Sequence, residues 1–413
     1  MKTTLLILIL STTSLIGYTQ NTNVPDANFE QALINLGYDD VIDGVVLTAN
    51  INSITTLNVF NKSIADMTGI EDFVALTSLS CHQNQITNLQ VNQLVNLNYL
   101  RCEENLLTSL DVTQNTLLTN LFCQENQLTS LDISQLTVLD YIRCANNQLT
   151  TLDISQNVIL TTLFCDNNQL TNIDTSVNPL LWKFVCGWNL LSSLDLSQNP
   201  DLWDLNIESN QFTSIDVSHN LDLESIDCST NQITNLDFSA NTSLRGLTCR
   251  DNQISTLDLR LNTSLIALRC KNNLLTSVDI RNGNNTNFLD LNTTNNLNLT
   301  CIFVDDVAYA QANFPYIDAS STFVATQSAC DALGIADEKL AFDLKIYPNP
   351  VSTSFYIQSN SKIESVSIYN VFGKMIRTYK PQESFSVSNL SSGIYTLKIA
   401  SKNQFAFKKL LVK

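Results

Sequence analysis

A cysteine returns every 21 residues through the middle of this 413-residue chain, with Ile207 in one place of the series. Isoleucine cannot replace a metal ligand or a nucleophile, but it can replace a small buried apolar group, and free cysteine often behaves as a small hydrophobe. If successive repeats stack on one another, the cysteines form a ladder in which neighbouring thiols point the same way. That arrangement suits disulfide geometry poorly. The series therefore predicts nine buried free thiols, at Cys81, Cys102, Cys123, Cys144, Cys165, Cys186, Cys228, Cys249 and Cys270.

Each cysteine stands in the pattern L-x-x-L-x-C-x-x-N, as in Leu97–Asn105. The asparagine is present in all ten copies from Asn84 to Asn273. Each unit contains the pattern a second time, as in Leu107–Asn115, with Val112 in the place of the cysteine. Every unit thus consists of two similar half-units of 11 and 10 residues.

This repeat resembles the leucine-rich repeat family in its short bacterial form, over about residues 57–300. The resemblance implies a parallel β-solenoid. Strand alternation then places Leu100 and Cys102 inside, and Tyr99, Arg101 and Glu103 outside. Ten turns spaced by about 4.8 Å would make a rod of about 50 Å. We expect the asparagines to bond the backbone at each bend, because an unpaired buried polar group costs about 1–3 kcal/mol.

The segments before and after the repeat differ from it in character. The sequence predicts a cleaved signal peptide at 1–19, a helical cap at 20–56, the solenoid at 57–300 and a second cap at 301–330. Helical patterns at Val24–Gly37 and Asp305–Phe314 belong to these two caps. Cys301 and Cys330 lie outside the ladder, and export favours a disulfide between them. A linker at 331–341 precedes the last domain, 342–413.

The last domain consists of alternating β-strand segments separated by turn residues. "YPNP" at 347–350, "SGIY" at 392–395 and a terminal lysine-rich strand resemble the C-terminal sorting domain of type IX secretion substrates. That family implies a small immunoglobulin-like sandwich, export by the type IX machinery, removal of the domain and often attachment to surface lipopolysaccharide. The alternative is a small β-domain that binds something. The predicted fold class is mainly β, a solenoid followed by a sandwich.

Charge is distributed unevenly along the chain. Residues 337–413 hold 11 Lys+Arg and 5 Asp+Glu, a net charge of +6, so the total of −17 leaves −23 on residues 1–336. An acidic body of this kind disfavours nucleic acid and anionic lipid as partners. The apolar run of the signal peptide is too short to span a bilayer, and no later run is apolar enough. We expect a monomer that is secreted or held at the outer cell surface.

The sequence contains no recognisable catalytic or cofactor motif. Its two histidines, His82 and His219, are more than six repeats apart. A column of aspartates recurs in the second half-unit, as at Asp132 and Asp153, and would place like charges about 4.8 Å apart. Calcium would relieve the repulsion, but no glycine-rich turn surrounds the column. Hydrogen bonds to neighbouring hydroxyls are the simpler expectation. We predict no enzyme, no cofactor and no metal site.

The outward residues of the first half-unit vary from turn to turn, whereas the second half-unit repeats Ser-Leu-Asp-Val-Ser almost unchanged. Exposed aromatic and basic residues are typical of recognition surfaces, and alternating Arg and Phe would form cation–π pairs. Aromatics are also favoured on any β-face. The candidate binding residues for a protein or polysaccharide are Tyr99, Arg101, Phe122, Tyr141, Arg143, Phe164, Trp182, Lys183, Trp188 and Trp203. A structural rod without a ligand and an unrecognised hydrolase are the alternatives.

Overall fold

The computed structural model describes residues 20–333, 344–370, 373–401 and 404–413. The predicted signal peptide lies outside the described residues, as does most of the predicted linker. The chain divides between Ala325 and Thr326 into two compact units. The first unit contains the repeats, and the second contains the sorting-type sequence.

The N-terminal cap consists of β1 (Asn21–Asn23), α1 (Ala27–Asn35), β2 (Val45–Leu47) and α2 (Thr48–Ile51). Helix α1 begins at Asp26, whose Oδ1 accepts the backbone N–H of Asn28 and of Phe29, as expected of an N-cap aspartate. It ends before Gly37, whose φ of 80° lies in the left-handed region that suits glycine. Phe29 and Leu33 of this helix are fully buried, in the same apolar core as the solenoid turns.

The repeat region forms sixteen strands of three residues each within the described part of the chain. They are β3 (Thr56–Asn58), β4 (Ser78–Ser80), β5 (Tyr99–Arg101), β6 (Asn120–Phe122), β7 (Tyr141–Arg143), β8 (Thr162–Phe164), β9 (Lys183–Val185), β10 (Asp204–Asn206), β11 (Ser225–Asp227), β12 (Gly246–Thr248), β13 (Thr256–Asp258), β14 (Ala267–Arg269), β15 (Ser277–Asp279), β16 (Asp290–Asn292), β17 (Cys301–Phe303) and β18 (Thr322–Val324).

The first half-units build one parallel sheet of twelve strands, in the order β16-β14-β12-β11-β10-β9-β8-β7-β6-β5-β4-β3. Leu100 pairs with Leu121 and with Leu79, so each turn lies one repeat from the next. Leu100 and Cys102 are fully buried, which confirms the predicted parallel solenoid. The sheet exceeds the ten regular copies because the irregular first turn, at β3, and the displaced last turn, at β16, also join it.

The second half-units form strands only near the C-terminal end of the solenoid. There β13, β15, β17 and β18 make a parallel sheet. Helix α3 (Val307–Asn313) lies between β17 and β18, where the closing helix was predicted, and α4 (Gln327–Leu333) follows. The predicted linker therefore begins inside a helix. Cys301 and Cys330 are each disulfide-bonded, whereas the nine ladder thiols are free and buried. That these two cysteines pair with each other stays a prediction.

The C-terminal unit contains β19 (Leu344–Tyr347), β20 (Ser354–Ser359), β21 (Ser365–Tyr369), β22 (Met375–Tyr379), β23 (Phe385–Ser386), β24 (Gly393–Ser401) and β25 (Gln404–Val412). They form two antiparallel sheets, β19-β20-β23 and β22-β21-β24-β25, which share one apolar core. Asn349, in the "YPNP" sequence, binds the last strand: its Nδ2 donates to Lys409 O and its Oδ1 accepts Leu411 N–H, both at 2.8 Å. The result is the small β-sandwich that the sequence predicts.

Candidate functional site

Four aromatic side chains form a continuous row across β5 to β8. Tyr99 and Phe122 have ring centroids 5.5 Å apart, Phe122 and Tyr141 are 5.0 Å apart, and Tyr141 and Phe164 are 5.9 Å apart. The row is zigzag because aromatics occupy alternate outward positions on successive turns, 99 and 141 in one column and 122 and 164 in the next. All four rings are partly exposed, so the outer face of these strands presents a strip of aromatic surface.

Basic side chains lie over the rings of this row, as the alternation of Arg and Phe predicts. The guanidinium of Arg101 lies 5.7 Å from the centroid of Phe122, and that of Arg143 lies 4.7 Å from Phe164. These distances are within the range of cation–π attraction, about 0.5–1 kcal/mol at exposed sites.

Trp182 and Trp203 extend this row of rings at the N-terminal ends of β9 and β10. Their rings are stacked, with centroids 5.4 Å apart and planes at 8°, because they precede β9 and β10 at equivalent positions. Lys183 Nζ lies 5.8 Å from the Trp203 ring and 5.6 Å from the Phe164 ring, so it joins the tryptophan pair to the aromatic row. We call Tyr99, Phe122, Tyr141, Phe164, Trp182 and Trp203 the aromatic strip.

Trp188 lies apart from the two stacked tryptophans. It follows β9, whereas Trp182 precedes it, so six residues separate the two along one extended turn. At about 3.3 Å per residue this is roughly 20 Å. Trp188 stands at the opposite margin of the sheet, with 58% of its surface exposed.

The predicted exposure of Glu103 is wrong: strand alternation places this side chain outside, but it is only 1% exposed. Arg101, two residues earlier on the same side of the strand, forms an ion pair with Glu103 and covers it. Lys183 is likewise paired with Asp204 on the next turn. Two of the three predicted cations of the face are therefore neutralised within the protein, and Arg143 is the third.

The two histidines are far apart, as predicted. His82 is half-buried: its ring stacks on Phe60 with centroids 5.0 Å apart, and burial lowers its pKa. His219 is exposed, and its Nδ1 lies 3.3 Å from Ser218 Oγ. The histidines share no site within the described residues.

Comparison with known proteins agrees with both parts of the structure. Residues 345–413 match the family model described as "Secretion system C-terminal sorting domain". The functional domain of internalin J from Listeria monocytogenes, whose structure is described as including a cysteine ladder, is 26% identical. That alignment covers 95% of this chain and 99% of the other, with a TM-score of 0.54. The chain thus combines a solenoid of about 21-residue repeats, similar to the leucine-rich repeat domain of an internalin, with a C-terminal sorting domain.

Two further similarities concern the repeats. An internalin (inlF) from L. monocytogenes is 22% identical, with a TM-score of 0.56, over 74% of this chain and 96% of that one, which shows the shared fold. The curated sequence of internalin J is 36% identical over 86 residues, which are 20% of this chain and 9% of the relative. The leucine-rich repeat protein thus matches only a small part of that relative's full length. Its sorting domain indicates a secreted or cell-surface location.

The aspartate column of the second half-unit makes local hydrogen bonds, first of all to backbone N–H groups and also to the hydroxyls that the sequence predicts. Asp132 Oδ1 accepts the N–H of Ser134 at 2.9 Å, and Asp153 Oδ1 accepts that of Ser155 at 2.9 Å. These backbone bonds, with the serine hydroxyls, lower the pKa of both carboxyls. Across the described ranges, no three His, Cys, Asp or Glu side chains are arranged to hold a metal ion. No described helix is long and apolar enough to cross a membrane.

Sequence reasoning overlooked Asp166, which lies on the first-half-unit face beside the aromatic strip. Its column also contains Glu103, and the flanking members are Ala145 and Gly187. Burial raises the pKa of Asp166, and the charge of Arg143 opposes that effect. The signal available in the sequence was the pair of small residues one repeat before and one repeat after a single carboxylate.

Proposed function

We propose that this leucine-rich repeat protein binds a protein or polysaccharide through the outer face of its twelve-stranded sheet, and that it acts in adhesion or recognition rather than catalysis. The observation that carries the proposal is the aromatic strip, six partly exposed rings in near-continuous contact over β5 to β10. A contiguous exposed aromatic patch of this length is typical of a surface that binds a partner.

The charges of this face support recognition by stacking and apolar contact. Arg101 and Lys183 already have carboxylate partners, so they are poorly available to an anionic ligand. Their remaining role is to support the rings over which they lie. Sugar rings and aromatic or cationic side chains are the groups that stack best on such a surface.

The location of the protein supports a partner outside the cell. The sorting domain directs type IX export, and its usual fate in that family is removal, often with attachment of the mature protein to surface lipopolysaccharide. We propose the same fate here. A chain lacking residues 342–413 should keep a folded repeat domain but stay in the periplasm, and its appearance at the surface of the native host would contradict this proposal.

The binding proposal is tested on the two stacked tryptophans. We expect the double variant Trp182→Ala, Trp203→Ala to fold normally, because neither ring is buried, and to bind at least tenfold more weakly, about 1.4 kcal/mol. A glycan array and a pull-down from the surface fraction identify the ligand, and titration then measures its affinity.

The matched control is Asp132→Ala, Asp153→Ala on the other face, which should leave binding unchanged. If this pair abolishes binding while the tryptophan pair does not, the aspartate column is the functional surface. If the intact protein captures no glycan or protein, the chain is a structural rod.

A further inference from the structure

Asp166 belongs to a column of outward residues that follows the ladder cysteines. Asn146 N–H donates to Asp166 O and Asn167 N–H donates to Gly187 O, both at 2.9 Å, so the column advances by one turn at each step. Ala145 on one side of Asp166 is 3% exposed, and Gly187 on the other side has no side chain. The two turns that flank the partly exposed Asp166 therefore carry almost no side-chain bulk, which leaves a recess beside its carboxylate.

The other carboxylates of this column are neutralised. Glu103 is paired with Arg101, and Glu208 accepts from Arg250 Nη2 at 2.7 Å. Asp166 takes part in none of the ion pairs among the described residues. Burial raises its pKa, and the nearby charge of Arg143 offsets that effect only in part. A positive group from outside the chain would compensate it.

Trp188 stands beside this recess in a backbone conformation that is costly for its residue type. Its φ is 54°, in the left-handed region, where a bulky side chain is unusual. The equivalent position of the other regular turns holds Gln, Glu, Asn, Ser, Thr or Asp. The indole is also 58% exposed, so it contributes little to the core. Strain and exposure without a folding benefit are typical of a residue kept for binding.

Register places Trp188 next to Asp166. Asn167 pairs through its N–H with Gly187, and Asn168 N–H donates to Trp188 O at 3.2 Å. Trp188 is thus one turn over and one residue on from Asp166, a Cα separation of about 6 Å from strand geometry. A Cβ added at Gly187 would lie 2.8 Å from Asn206 Oδ1 and 3.0 Å from Glu208 O, so a side chain at this position would require its neighbours to shift.

We propose that Asp166 and Trp188 form a receptor for one lysine or arginine side chain of a protein partner. Asp166 supplies the counter-ion, the indole of Trp188 supplies a face for cation–π contact, and the small neighbours leave room for the aliphatic stem. The charge of −23 on residues 1–336 attracts a basic partner. This inference rests on the proposed function, because it uses the same face, and it specifies the chemistry of the partner.

The test titrates the exported protein with a decalysine peptide and with its fully Nε-acetylated form, by calorimetry in about 150 mM salt, where the long-range field is screened. We expect binding of the free peptide alone. Asp166→Asn and Trp188→Asn should each weaken it at least tenfold. Asp132→Asn, which removes the same charge from the other face, should change it less than twofold. Thermal unfolding should show both binding-site variants at least as stable as the parent, because one loses an unpaired carboxylate and the other gains a residue suited to the left-handed backbone.

Equal losses for Asp166→Asn and Asp132→Asn would assign binding to the overall field and overturn the proposal. So would equal binding of the acetylated peptide, or no binding at all. Tight binding of a chitosan oligomer, an amine-bearing glycan, with none of the peptide would assign the site to a polysaccharide. If the tryptophan pair loses the native ligand and Asp166→Asn does not, this inference falls and the proposed function stands. The opposite result overturns the role of the aromatic strip alone.

Discussion

The two bends of most repeats carry an asparagine at the same point of the same sequence pattern, yet they use it differently. At the first bend, Asn126 donates from Nδ2 to the carbonyls of Cys102, Cys123 and Gln124, and its Oδ1 accepts Leu107 N–H at 3.0 Å. At the second bend, Asn157 Nδ2 donates to Ile133 O and Leu136 O. Its buried Oδ1 has no donor among the described residues.

The same difference recurs along the solenoid. The second-bend Oδ1 atoms without a hydrogen-bond donor belong to Asn115, Asn157, Asn178, Asn220, Asn241 and Asn262. Asn199 differs from them, because Thr175 Oγ1 donates to its Oδ1 at 2.8 Å. One sequence pattern thus produces a fully bonded bend and a partly bonded bend. The first bend adjoins the continuous twelve-stranded sheet, and the second adjoins half-units that mostly lack strand pairing.

The largest difference in stability between the two bends is expected when their asparagine amides are removed. Asn126→Ala leaves several buried backbone groups without partners and should lower the free energy of unfolding by about 4 kcal/mol, since each such group costs about 1–3 kcal/mol. Asn157→Ala removes fewer bonds and an acceptor that was already unpaired, so we expect about 2 kcal/mol. Urea unfolding of the purified chain measures both. Equal costs would show that the bends are energetically equivalent.

The next effect is the change in stability when one of the ladder cysteines, the inward column of the first half-unit, is replaced. Burial raises the pKa of the Cys144 thiol to about 12, and Cys144 Sγ donates to Phe164 O at 3.5 Å. Because Ile207 occupies an equivalent position, Cys144→Val should cost less than about 1.5 kcal/mol. Thiol labelling of the native protein should be slow at all nine ladder cysteines, since the protonated buried thiol is unreactive. Rapid labelling or stoichiometric zinc would contradict this account.

A smaller effect is expected when a second-bend asparagine is given a hydroxyl donor, as Thr175 provides for Asn199. Val217 lies 24 residues before Asn241, as Thr175 lies 24 residues before Asn199, so Val217→Thr should donate to the free Oδ1 of Asn241. The hydrogen bond should make this variant about 1 kcal/mol more stable than a matched control. The control is Val112→Thr, in the same column, because Leu136 lies 24 residues after it and offers no amide. If the two variants unfold at the same urea concentration, the second-bend Oδ1 atoms are already solvated.

The fold and the aromatic strip were predictable because the 21-residue period assigns every side chain to a column. That period places Trp182 beside Trp203 and buries Cys102, and the structure has both. It carries no information on contacts between columns. The burial of Glu103 depends on how Arg101 bends over it, and the recess at Asp166 depends on the sizes of its neighbours one turn away. The position of Trp188 depends on a bend that alternation does not describe.

The smallest effect compares the carboxylates of the two half-units. The pKa of Asp132 is lowered by its bonds to Ser134, so its ionised form stabilises the native state above the unfolded pKa, and that contribution disappears as pH falls through the native value. The pKa of Asp166 is raised by burial, so its ionised form destabilises the native state at neutral pH, and protonation relieves this.

Asp166→Asn should therefore be slightly more stable than the parent at pH 7 and equal to it in acid. Asp132→Asn should be slightly less stable at pH 7, with the difference also vanishing in acid. Unfolding at a series of pH values, with carboxyl titration by NMR, checks both signs. If the free energy of unfolding of the two variants changed with pH in the same way, the carboxylates of the two half-units would not differ in their effect on stability.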